Sequence, residues 1–242
     1  MPPETFINVA VEAPIPQPLT YLSPQGPLPE GASVIVPLGH RKTRAIVLGP
    51  SPNPPKDIPI KSLLAVNPHR PLLHEDYMKW LEKLSQYYMY PLGLIAPLAF
   101  PPLEKKTGRK TRKKEVIPEV FSKVPPPPLT SEQKQVVQDI LKFPNFSVHL
   151  LHGVTGSGKT EVYLQLLEKV IHEKKQALVL VPEISLTPQL ILRFSQRFPQ
   201  QVAVIHSHLT PREKTNQWWS MVDHKKSILI GARSALFCPL PK

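Results

Sequence analysis

The chain has 242 residues, enough for one large or two small domains with cores of their own and too many for a peptide or disulfide scaffold. Hydrophobic residues make up 41% and charged residues 20%, and no uncharged apolar run approaches the roughly 18 residues a membrane-crossing helix needs, so a soluble chain without membrane contact is expected. Lys and Arg (30) exceed Asp and Glu (18) by 12, a balance that favours nucleic acid or another polyanion as partner but says nothing of fold. The opening Met1-Pro2-Pro3-Glu4 lacks a basic segment followed by an apolar stretch, so no secretory signal is expected and a cytoplasmic location is. Cys238 is the single cysteine, which forbids an internal disulfide or a cysteine-cluster zinc site within the chain.

Charge and proline are unevenly placed. Residues 1–104 are neutral, while 105–128 and 129–242 each carry a net +6, and 25 of the 32 prolines precede residue 129. Proline breaks helix interiors and cannot donate to a ladder, so 1–104 reads as a small β-rich domain rather than a bundle. The β-branched runs 33–37 and 44–48, with a turn over 38–43, predict a hairpin. One helix is predicted at about 74–90, with Tyr77, Trp80, Leu81, Leu84 and Tyr88 at helical spacing and Pro91 ending it.

Residues 105–128 read as a linker, with seven cations among residues 105–114 followed by four prolines at 125–128. A solvating tether and transient contact with phosphates both fit it. From residue 129 strands and helices alternate: helix 131–142, an apolar run 147–152, a glycine-rich loop, helix 159–172, strand 177–181, helix 188–198, strand 202–205, helix 211–222 and strand 227–230. Short strands alternating with long helices predict a parallel sheet covered on both faces.

Gly153-Val154-Thr155-Gly156-Ser157-Gly158-Lys159-Thr160 fits the phosphate-binding loop pattern. Glycines let backbone N–H groups turn around a phosphate, Lys159 reaches the β/γ oxygens and the Thr160 hydroxyl can ligate Mg²⁺. Upstream, Thr130 or Ser131 suits a helix N-cap. Gln133 carries an amide able to pair with the N7 and N6 edge of adenine. Three polar loops follow predicted strands: Pro182, Glu183, Ser185, Thr187 and Gln189; His206 and Ser207; and Gly231, Arg233 and Ser234. Loops beyond the carboxyl ends of parallel strands are where such sheets hold ligands, so these form a candidate track for an extended polyanion, although each also fits an ordinary strand-to-helix turn. Trp218 and Trp219 fit helix packing better than base stacking, and His149 and His152 have no companion metal ligands.

The residues from Leu150 to Leu164, the run from Leu180 to Gln189, His206-Ser207 and the run from Ile230 to Phe237 together resemble, in order, the primosomal protein N′ family, the PriA replication-restart helicases of superfamily 2. Residues 1–104 are similar more loosely to that family's 3′-end-binding N-terminal domain, through 31–47 and Tyr87-Tyr88 to Gly93. A departure falls at 14–21, where the family commonly has an acidic residue and this chain has none. The resemblance implies a β-rich domain followed by most of a P-loop, RecA-like helicase lobe, and an ATP- and Mg²⁺-dependent 3′→5′ translocase acting on forked and single-stranded DNA. Gln133 would read adenine, the later loops would grip single strands, and primosome proteins and single-strand binding protein would be partners. Because residues 239–242 come before the point where the family's acidic motif would follow, the expectation is ATP and DNA binding with little turnover; zinc is not expected, since the family's zinc-binding cysteines are absent from this chain. The alternative is an adaptor that binds DNA and keeps a non-hydrolysing nucleotide pocket.

Overall fold

The computed structural model describes residues 5–102, 126–143 and 145–240. The basic run 105–114 lies outside the described residues. The chain divides into two compact units, 1–109 with 237–241 and 110–236 with 242.

In the first unit, β1 (Thr5–Val11), β2 (Leu19–Ser23), β3 (Ser33–Leu38), β4 (Arg41–Pro50) and β5 (Ala65–Val66) form one antiparallel sheet in the order β2-β1-β4-β3-β5. The predicted hairpin is β3 with β4, but its strands run on to the pair Leu38↔Arg41, so the turn narrows from 38–43 to Gly39-His40. Alternating residues of these strands, among them Ile7, Val9, Val34, Val36 and Val47, meet Tyr21 and Leu63 in a single core, as the two-residue period of a half-buried strand requires. Segment 61–64 rolls the sheet up. The Leu22 N–H donates to the Lys61 carbonyl at 3.0 Å, and the Leu64 N–H donates to the Ile35 carbonyl at 2.8 Å, so this segment bridges β2 and β3 and covers their edges. The Tyr21 hydroxyl donates to the Pro37 carbonyl at 2.9 Å, which ties β2 to β3 a second time.

Helix α1 (Glu75–Tyr88) is shorter than the predicted 74–90, and its fully buried residues are Met78 and Leu81. Leu81 of the predicted stripe is fully buried and Trp80 half-buried, but Tyr88, the last residue of the helix, is exposed. Pro91 does not end α1: Met89 does, with a left-handed φ of 48° and an N–H that donates back to the Gln86 and Ser85 carbonyls. Pro91 caps the short α2 (Leu92–Ile95) instead. Gly93 lets α2 lie on the sheet, since a Cβ there would overlap the Val11 carbonyl oxygen.

The second unit contains α3 (Ser131–Leu141), α4 (Lys159–His172), β6 (Ala177–Leu180), α5 (Pro188–Arg197), β7 (Val202–Ile205), α6 (Pro211–Val222) and β8 (Ile228–Gly231). The three strands are parallel, in the order β6-β8-β7. β8 is buried throughout, as an uninterrupted apolar run at the centre of a parallel sheet should be. Ile228 and Ile230 pack against Leu164 and Leu167 of α4 and Phe194 of α5, and α6 lies against β7. Trp218 on α6 is buried, with its ring centroid 5.0 Å from that of Trp219 in an edge-on pair.

The apolar run 147–152 was expected to be the strand feeding the glycine-rich loop, and it joins no sheet among the described residues. Val148 and Leu150 are 85% and 91% exposed. The alternation of a strand is present, but a strand needs a ladder partner for its backbone groups. The outer edge of β6 likewise has no neighbouring strand among the described residues. Among those residues no helix is long and apolar enough to cross a membrane.

Candidate functional site

Helix α4 starts at Lys159, with Gly158 at its N-cap in the left-handed region at φ 82° and Gly156 at φ 84°. Two such reversals turn the loop back on itself, and a Cβ at Gly153 would lie 2.8 Å from Ser157 Oγ, so the loop ends are in touch. Thr155, Gly156 and Ser157 are exposed, and Thr160 is half-buried in the first turn of α4. The Lys159 ammonium donates to the Gly153 and Val154 carbonyls at 2.6 and 2.9 Å, which holds it over the loop. First-turn N–H groups without helical partners and the positive end of the helix dipole favour an anion at this point. The donor set fits a nucleotide phosphate, and the Thr160 hydroxyl, a hard oxygen ligand, fits its Mg²⁺.

Gln133 reaches this loop from α3. Thr130 and Gln133 form a reciprocal capping box, in which the Thr130 N–H donates to Gln133 Oε1 at 3.0 Å. Gln133 Nε2 donates to the Ser157 carbonyl at 3.1 Å. One amide thus caps α3 and fastens it to the glycine-rich loop.

Two site-adjoining residues escaped the sequence reading. Glu161, one residue past Thr160, is buried, and its Oε1 lies 3.5 Å from Arg197 Nη2 at the end of α5. The same nitrogen donates to Glu168 Oε2 at 3.0 Å. The signal was available: Glu161 stands three residues before Leu164 on the apolar stripe of α4, where a charge requires a buried partner.

The parallel register brings the three polar loops together. Gly231 is paired with Leu180 on one side and Ile205 on the other at the carboxyl ends of β8, β6 and β7, so the loops after these strands leave one sheet edge side by side. Pro182, Glu183, Ser185, Thr187 and Gln189 are all exposed, and Thr187 caps α5 by accepting the Leu190 N–H. Arg233 is exposed, with Nη2 3.9 Å from Glu183 Oε2, which links the first and third loops. Ser207 and Ser234 are exposed too. Gly231 is buried: a Cβ there would stand 2.6 Å from the Ile205 carbonyl oxygen, so this glycine serves the close approach of β8 and β7 and offers no surface to a ligand. His206 is half-buried with Nδ1 unpartnered, and burial first, then His208 and Lys214, hold its imidazole below the usual histidine value.

In the first unit, the stretch 14–21, which has no acidic residue, includes Thr20 on β2. Thr20 Oγ1 donates to Asn8 Oδ1 at 3.0 Å and lies 3.5 Å from Ser51 Oγ.

A family model for the PriA 3′DNA-binding domain matches residues 8–101, and one described as the res subunit of type III restriction enzymes matches 127–240. The chain is similar to replication restart protein PriA of Bacillus subtilis, 50% identical over 123 residues that make up 50% of this chain and 15% of that protein. It is 37% identical to PriA of Rickettsia conorii over 92% of this chain and 33% of that protein. With PriA of Treponema pallidum it shares 28% identity over 98% of this chain and 37% of that protein. The chain therefore spans well under half the length of these relatives. The PriA 3′DNA-binding match at the front of the chain, followed by a helicase-type match, together with alignments that cover 92% and 98% of this chain, show that the chain belongs to the PriA replication-restart family and corresponds to the N-terminal portion of its members.

Proposed function

We propose that residues 129–242 are the larger part of a RecA-like lobe that binds ATP–Mg²⁺ on loop 153–160 and holds single-stranded DNA across the loops after β6, β7 and β8, while the first unit binds the 3′ end of a DNA strand. The observation that carries the nucleotide site is the pair of left-handed glycines that folds the loop at the start of α4 beneath the Lys159 ammonium. When bound, Mg²⁺ neutralises phosphate charge. Lys159 would exchange its carbonyl partners for phosphate oxygens, and the Thr160 hydroxyl would be the protein group that holds the metal. Gln133 has one amide hydrogen and one oxygen lone pair left after its bonds to Ser157 and Thr130. Those are the two groups that the N7 and N6 edge of adenine requires.

In the second unit, the hydroxyls of Ser185, Thr187, Ser207 and Ser234 and the cation of Arg233 serve a phosphate backbone. End recognition in the first unit rests on the neutral Asn8, Thr20 and Ser51 in place of a carboxylate. ATP-driven 3′→5′ unwinding at forks, with primosome proteins and single-strand binding protein as partners, belongs on this reading to the whole protein of which this chain forms the front part.

The test is titration of the chain with a fluorescent ATP analogue and Mg²⁺. Saturable binding that Lys159→Ala abolishes supports the site, and equal affinity in the variant overturns it.

A further inference from the structure

Tyr87, Tyr88, Met89 and Tyr90 follow one another at the end of α1 with 77%, 67%, 91% and 51% of their surface exposed. A solvent-facing turn is ordinarily built of Gly, Asn, Asp or Ser, so four large apolar side chains in a row there need a partner. Backbone bonds shape this turn closely. Met89 holds the left-handed conformation that residues with a Cβ avoid. The Tyr90 N–H donates to the Ser85 carbonyl at 3.0 Å, and the Ser85 hydroxyl returns a bond to the Tyr90 carbonyl at 2.6 Å. The Tyr87 and Tyr88 rings meet edge to face, with centroids 4.9 Å apart and planes at 82°, so each steadies the other.

Two neighbours give the patch a direction. Lys83 precedes Tyr87 by one helical turn, on the same face of α1. It is exposed and makes no ion pair among the described residues, unlike Lys79, which is tied to Glu75. The residues flanking the turn, Ser85 and Gln86 before it and Leu92 and Gly93 after it, line a cleft of about 340 Å³ to which Gln17 also contributes.

We propose that this turn is a stacking platform for unpaired nucleotides: the rings of Tyr87, Tyr88 and Tyr90 take base faces, Lys83 takes a phosphate, and the amides of Gln86 and Gln17 offer donors and acceptors to a base edge. Aromatic stacking tolerates any base because every base has a π-face, and a nearby lysine supplies the point charge a phosphate needs. Tyrosine suits a surface that is wet when empty, since its ring is apolar and its tip polar. The inference rests on the DNA-binding reading of the first unit, and adds a contact there that is separate from Asn8, Thr20 and Ser51.

The experiment is a fluorescence titration of the full chain with short single strands carrying 2-aminopurine. Three variants are compared with wild type: Tyr87→Leu with Tyr88→Leu, Tyr87→Phe with Tyr88→Phe, and Lys83→Gln. The leucine pair keeps apolar bulk without a π-face and should weaken binding at least about five-fold, whereas the phenylalanine pair should stay within about two-fold of wild type. Lys83→Gln should reduce the slope of log affinity against log salt by about 0.7. A leucine pair that binds like wild type overturns the stacking platform while leaving DNA binding by the chain intact. A wild-type chain with no affinity for any DNA defeats the DNA-binding reading and this proposal with it. A leucine pair with unchanged DNA affinity that has lost self-association in sedimentation makes the turn a protein-docking surface, which also overturns the proposal.

Discussion

Gln133 Nε2 occupies the space that a Cβ on Gly158 would need, and the same nitrogen donates to the carbonyl of Ser157 at 3.1 Å. The glycine at the N-cap of α4 is therefore required twice, by its φ of 82° and by the amide packed on it. Gly158→Ala should cost about 1–2 kcal/mol in backbone strain and push Gln133 off the loop. The expected outcome is at least a ten-fold loss of nucleotide affinity with a fall of several degrees in thermal midpoint, read by nucleotide titration and differential scanning calorimetry. Pairing it with Gln133→Ala, which frees the space but not the φ, should recover none of the strain and little of the affinity.

Arg197 is 4% exposed and neutralises Glu161 and Glu168 between α5 and α4. Removing one member of a buried ion pair leaves the others uncompensated, at a cost of about 3–5 kcal/mol. Arg197→Met should lower the stability of the second unit by that order in urea unfolding. Glu161→Gln, which leaves Arg197 its Glu168 partner, should cost about 1–2 kcal/mol, and joining it to Arg197→Met should return part of the loss.

Much of this architecture is readable from residue pattern alone. The bounds of α4, β7 and α6 fall where cap residues and apolar spacing put them, because Gly158, Thr210 and the uninterrupted Val202–Ile205 run act locally. The glycine-rich loop and the three polar loops are legible for the same reason, and their alignment on one sheet edge follows once the strands are parallel. What failed is what depends on a distant partner. The run 147–152 has a strand's pattern without a strand's neighbour among the described residues. Segment 61–64, which closes the first unit, has no periodicity of its own. Tyr88 sits at helical spacing from Leu84 yet faces solvent, since α1 ends at a left-handed methionine that no helix-stop rule would select. The spacing of α4 marks Glu161 as needing a buried partner but not which one, since Arg197 lies 36 positions away, in another helix.

Burial, with help from His208 and Lys214 and against the pull of Glu213, holds the His206 imidazole below 6.5. The unfolded chain then takes up a proton that the folded chain refuses. Stability is complete above the ordinary value and declines as pH falls through 6.5 towards the lowered one. Between pH 7.5 and 5.5 the thermal midpoint of the chain should drop further than that of a His206→Asn variant. Parallel curves for the two would remove His206 as the source.

The seven cations among residues 105–114 make a prediction independent of any structure they adopt. Replacing them with Gln should lower the salt slope of single-strand binding by up to about 5, at about 0.7 per phosphate released. Affinity at low salt should fall with it, and an unchanged slope would assign this run to tethering alone. Because the nucleotide loop lies elsewhere, titration with the fluorescent ATP analogue should be unaffected.

The chain's three tryptophans are distributed one to two, Trp80 in α1 and the edge-on pair Trp218 and Trp219 in α6. Indole emission thus reports on both units, and a single Trp80→Phe change confines it to the second. Subtracting the variant's melting curve from the parent's isolates the signal of the first unit without labels. Coincident midpoints would mark one cooperative block, and separate midpoints would give each unit its own stability. The placement of these rings supplies a built-in optical probe for every variant described above.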